Sequence, residues 1–171
     1  MTYKAIAAAM ALLATAGAGV HAAEAPWVLT PYGLGPIRIG MTPQEVGRVV
    51  GHPIHIGKDA DSQACSEVDL PGHADAGMMF ENGKLTRFFV FGRSRLHTAE
   101  GIGIGATEAA VKAAYPKIER SDADYDEAPA ANLIQWTQKD VAGLEFRTGA
   151  DGKVVSIAAG GHSIEYYEGC D

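Results

Sequence analysis

His52 and His55, three apart in the stretch HPIH and followed by Asp59 and Asp61, are residue types that ligate transition metals. A zinc site asks for two further ligands at characteristic offsets and none follow, so a surface loop is expected there. Asp122, Asp124 and Asp126 stand at every second position, as the first ligands of a calcium loop do. The glycine such a loop needs at its sixth position is replaced by Glu127, and its twelfth position is Leu133, so a solvated acidic loop is the expectation. Ser94, Ser156 and Ser163 lie in no G-x-S-x-G elbow. Gly101, Gly103 and Gly105 alternate with isoleucines, but a dinucleotide fingerprint would need glycine where Ala106 stands, and no Walker lysine follows. No residue is therefore expected to be catalytic, to bind a cofactor or to hold a metal, and the chain is expected not to be an enzyme.

The hydrophobic surplus points instead to recognition. In KLTRFFVFG, residues 84–92, strand alternation puts Leu85, Arg87, Phe89 and Phe91 on one face and Phe88 and Val90 on the other. A sheet covered by helices on one side only is ordinarily polar on its other side. Apolar residues on both faces mean burial on both sides or a binding surface. Phe88 and Val90 are the candidate protein-binding face, and the alternative is that PWVLTPYGLGP or a loop covers it.

Two similar stretches organise the elements that must carry that face. GPIRIGMTPQEVGRVVG (residues 35–51) is echoed by EGIGIGATEAAVKAAYP (residues 100–116). In the first, Thr42, Pro43 and Glu45 form a capping box, Val46, Val49 and Val50 share a helical face, and Gly51 and Pro53 stop the helix. In the second, Thr107, Val111, Ala114, Tyr115 and Pro116 repeat those steps. Each helix is followed by alternating runs broken at Asn82-Gly83 or Asp151-Gly152, pairs that tolerate the positive φ of hairpin turns. A further strand precedes each hairpin, from about Gln63 to Leu70 and from Leu133 to Gln138, and HSIEYYEGC reads as a last one. HIGKDADSQ and ERSDADYDEAPAA read as loops. The expected fold is α+β: two tandem αβββ repeats, residues 23–97 and 98–171, forming one continuous antiparallel sheet of six or seven strands with short helices on one face.

The chain ends bound the compartment. Residues 1–22 carry Lys4, an apolar run and Val20-His21-Ala22, which is the form of a signal peptide cleaved after Ala22. The run is too short to hold a bilayer, so no membrane insertion of the mature chain is expected. A formal charge of −7 with scattered cations repels phosphate backbones, so nucleic acid is excluded as a partner. Cys65 and Cys170 are the two cysteines, and in an oxidising compartment they are expected to form a disulfide.

The element I-x-I-G-M-T-x-x-E-V, followed by a meander, resembles the unit of the β-lactamase-inhibitor-protein family, in which helix-plus-sheet halves occur in tandem. It is also similar to the small lipoprotein of the outer-membrane β-barrel assembly machine, which has one such unit. With GIGIGATEAAVKAAYP and its closing IEYYEGC, the chain further resembles uncharacterised exported proteins of Gram-negative bacteria. It departs from these patterns in lacking a lipid-attachment cysteine and in having one candidate disulfide rather than one in each half. The expected function is that of a periplasmic or secreted, non-enzymatic module that binds a periplasmic protein, such as an inhibitor of a periplasmic or extracellular enzyme. An envelope-assembly factor working through an edge strand or loop and a small hydrolase are the alternatives. No cofactor is expected.

Overall fold

The computed structural model describes residues 27–123 and 127–170. The signal-peptide expectation, and Asp124 and Asp126, lie outside them. In chain order the elements are β1 (Val28–Thr30), β2 (Gly33–Leu34), β3 (Ile37–Arg38), α1 (Pro43–Val50), α2 (Ala60–Ala64) and β4 (Cys65–Asp69). They continue with β5 (Ala76–Glu81), β6 (Lys84–Phe91), β7 (His97–Thr98), α3 (Glu108–Ala114), β8 (Glu119–Asp122), β9 (Ala131–Gln138), β10 (Ala142–Thr148) and β11 (Val154–Gly160), and a 3-10 helix at His162–Glu165 closes the series.

The class is α+β, with a seven-stranded antiparallel sheet in the order β4-β5-β6-β11-β10-β9-β8 and a four-stranded mixed sheet in the order β3-β2-β1-β7. The capping box is present: Glu45 N donates to Thr42 Oγ1 over 3.2 Å and Thr42 N to Glu45 Oε2 over 2.8 Å. Gly51 ends α1 at φ 74°, a left-handed conformation that glycine adopts without a side-chain penalty. Thr107 caps α3 in the same way, accepting from Ala110 N over 3.2 Å. The loops leading into the two helices are tied to the sheet by matching pairs of bonds. Gly40 N donates to Leu85 O (2.7 Å) and Leu85 N to Met41 O (2.8 Å), while Gly105 N and Val154 N make the corresponding 2.8 Å bonds with Val154 O and Ala106 O. Gly101 and Gly105 of GIGIG are explained by backbone conformation, at φ 82° and 85°, and not by close approach, since a Cβ at either would meet nothing within 4 Å.

Several expectations are corrected. HIGKDADSQ runs into α2, because Asp59 accepts from Ser62 N over 2.9 Å and starts a turn of helix. ERSD is strand β8, whose four residues are all exposed. HSIEYYEGC is a 3-10 helix followed by a strap of bends and a turn, since Gly160 and Gly161 end the ladder and Ser163 and Ile164, adjacent in sequence, are both buried. The N-terminal segment, meanwhile, forms part of the small sheet, with β1 pairing β7 in parallel. Leu29, Leu34 and Ile37 from that sheet join Val46, Val111, Phe80, Phe88, Val90 and Phe146 in one core. The inner face of the large sheet is thus covered by helices and a second sheet together.

Phe88 and Val90 are not on an open face. Both are 1 % exposed and belong to that core. The reason is a bulge. Met79 pairs Arg87 but Phe80 pairs Leu85, so Thr86 is an extra residue and the alternation slips by one. Leu85, Phe88 and Val90 all point inward, and Arg87, Phe89 and Phe91 point outward. A matching shift between Arg147 and Thr148 leaves Val155 extra and 49 % exposed, next to the inward Val154.

Candidate binding face

The outer face of the large sheet divides at the strap of residues 162–170. Beginning where β11 ends, the 3-10 helix packs on β6, β10 and β11. Gly143 makes room for it: a Cβ there would come 2.6 Å from the Trp136 ring and 3.0 Å from Ile164 Cδ1. The strap then runs to the edge strand β4, where Cys170 is bonded to Cys65 with a Cα–Cα separation of 5.5 Å. Such a bond persists in oxidising, extracytoplasmic compartments. Among the described residues no helix is long and apolar enough to cross a membrane.

Beneath the strap lies a charged group from two strands, β6 and β10. Glu145, 2 % exposed, accepts from Arg147 Nε over 3.0 Å. Arg87 Nη1 and Arg147 Nη2 both donate to the Tyr166 carbonyl, over 3.1 and 2.9 Å. Burial pushes the Glu145 carboxyl up to about 7 against the pull of Arg147 and Arg87. Burial likewise lowers Arg87, helped by the like charge of Arg147. Because Glu145 rises from an ordinary 4.5, the folded chain holds its proton more tightly than the unfolded chain. The stability this gives is full below about pH 4.5 and is lost as pH rises through about 7. Glu145→Gln cannot titrate. Urea-unfolding free energies of the two proteins between pH 4 and 8 should therefore converge or diverge by about 3 kcal/mol across that window, with the wild type losing more.

The other part of the outer face is open. Phe89 lies over Gly77, where any Cβ would collide with its ring, and the Arg87 guanidinium is 5.2 Å from its centroid. Phe91 stacks on Phe89 at 6.1 Å and is 41 % exposed. Across β11 stand Val155 and, from the strap, Tyr167, 45 % exposed with Arg147 5.1 Å from its ring centroid. Ala123, Asn132, Arg147, Thr148, Val155, Ser156 and Tyr167 line a depression of about 320 Å³ beside the Tyr167 ring. No family model, curated protein or solved structure matches this chain. The face must be interpreted from its own residues.

The structure keeps the other chemical candidates apart. His52 and His55 are exposed, while Asp59 is engaged as the cap of α2. Among the described residues no group of three His, Cys, Asp or Glu side chains is placed to hold a metal ion. Asp122 pairs with Arg120 at 3.2 Å. Ser94 Oγ accepts from Leu96 N, Ser163 belongs to the strap and is buried against the sheet, and of the three only Ser156 reaches the open face. Sequence reasoning missed Glu145, Arg147 and Tyr167. The alternation Leu144-Glu145-Phe146-Arg147 carried the signal for the first two: two apolar residues inward, two charges outward on a central strand.

Proposed function

We propose that the chain is an exported, non-enzymatic protein-binding module made of two αβββ halves, the second with β8 added at its edge, that binds a periplasmic protein. The observation that carries the proposal is the open outer face, where Phe91 and Val155 stand exposed on hydrogen-bonded strands and Tyr167, from the strap, stands exposed with Arg147 against its ring. Aromatic groups held this way offer apolar area with little left to order on binding, which is how interface anchors work. Inhibition of a periplasmic or extracellular enzyme is one form such binding takes. The twin helix caps, the matching Gly40–Leu85 and Gly105–Val154 ties and the bulges at Thr86 and Val155 support the two-half construction and the resemblance to tandem inhibitor units. Strand addition at an edge of the large sheet, one of the two routes open to an assembly factor, is poorly served. The β8 edge is four exposed residues, three of them charged, and the β4 edge is crosslinked to the strap.

A photo-crosslinking amino acid at position 91, with one at exposed Gln44 on α1 as control, tests this in periplasmic extract. One partner should be captured from position 91, not from 44, and should be competed away by unlabelled protein. Phe91→Ala should weaken the competition roughly 30-fold, as the loss of an anchor does. Equal capture at both positions, or none at 91, would refute the binding face.

A further inference from the structure

Among the described residues, three buried side-chain polar atoms have no hydrogen-bond partner: Glu81 Oε2, Arg87 Nε and Ser163 Oγ. They share one place, the seam between the strap and the outer sheet face. Glu81 and Arg87 rise into it from β5 and β6, and Ser163 descends from the strap. A buried polar atom without a partner is costly while the seam is closed and is satisfied by water once it opens. The closed seam therefore carries a penalty that the rest of the core does not. Two guanidiniums on the Tyr166 carbonyl, Ile164 against Gly143, and the covalent bond to β4 hold it shut.

The same strap carries Tyr167 to its place beside Val155 and over Arg147, so the geometry of the open face depends on the strap being down. We infer that the Cys65–Cys170 bond is a redox latch: the strap stays on the sheet when the bond is intact and lifts when it is reduced, dismantling the binding face while the sheet remains folded. The inference rests on the proposed binding function for its consequence, though not for the movement itself. The chemistry is thiol–disulfide exchange with a dithiol. Its first thiolate attacks one sulfur of the bond, its second resolves the mixed disulfide, and the chain gains two electrons and two protons as two thiols while the dithiol becomes a disulfide.

Hydrogen exchange of the full chain, oxidised, treated with dithiothreitol, and as Cys170→Ser without reductant, tests the latch. Amides of residues 163–168 should lose nearly all their protection in the reduced and variant forms, while those of β6, β10 and β11, faster only by the global stability the bond confers, stay protected. Capture from position 91 should fall by about tenfold on reduction, as expected if the strap's aromatic is an anchor. Unchanged strap exchange overturns the latch, and so does collapse of the whole sheet, which would make the bond a fastener of the fold. Strap release with undiminished capture overturns the dependence of the face on the latch. Absence of capture in every form refutes the binding function instead, and the exchange result then decides the latch alone.

Discussion

Phe88→Ala should destabilise the protein by about 3 to 5 kcal/mol, whereas Phe91→Ala, three positions along the same strand, should cost no more than about 0.5 kcal/mol. Phe88 is 1 % exposed and pairs Met78 and Ala159 on the inner face, where truncation leaves a cavity among groups that are already close-packed. Phe91 ends the strand with its ring against Phe89 and 41 % of its surface in water, so it gives up little burial. Urea unfolding of the two variants checks the contrast. Equal losses would mean that the outer face is packed as tightly as the inner one.

Reduction of the Cys65–Cys170 bond should have the second large effect. The bond joins residues 105 apart, and on the chain-entropy account a loop of that length confers about 4 to 5 kcal/mol by restricting the unfolded chain. For a chain of this size that corresponds to a fall of roughly 10 to 20 °C in the thermal midpoint. Scanning calorimetry with and without reductant, alongside Cys65→Ala/Cys170→Ala, measures it. A midpoint that does not move would show that the strap contributes no constraint.

Caps, turns and the cysteine pair are local in the sequence, and strand phase is not. Both helix caps, the Asn82-Gly83 and Asp151-Gly152 turns and the cysteine pairing are set by a few neighbouring residues, and each is present. The bulge at Thr86 is fixed by how β5 and β6 pair across the hairpin, and nothing in KLTRFFVFG itself announces it. One unnoticed residue was enough to exchange Phe88 and Val90 for Phe89 and Phe91 as the outward set. The strap was hidden for a related reason. Ile164 and Tyr166 alternate as a strand would, but Gly160 is held at φ 151°, where a side chain would collide with the Thr86 carbonyl, and the chain turns away from the ladder there. The small mixed sheet escaped because two- and three-residue strands have too few positions to show a period.

The order of strands at the centre of the large sheet governs how the molecule acquires its shape. β5 with β6 and β10 with β11 are hairpins whose partners are close along the chain, so they form early and independently. The bond between them is β6 to β11, running from Phe91–Ser156 to Arg87–Gly160, and it closes a loop through all the intervening residues. That central pairing is the slow, entropically demanding event. Until it occurs β6 presents an unpaired edge flanked by Phe88 and Phe89. A first half that has formed carries that sticky edge until β11 docks on it, and the interval is when misassembly with another copy competes with correct closure.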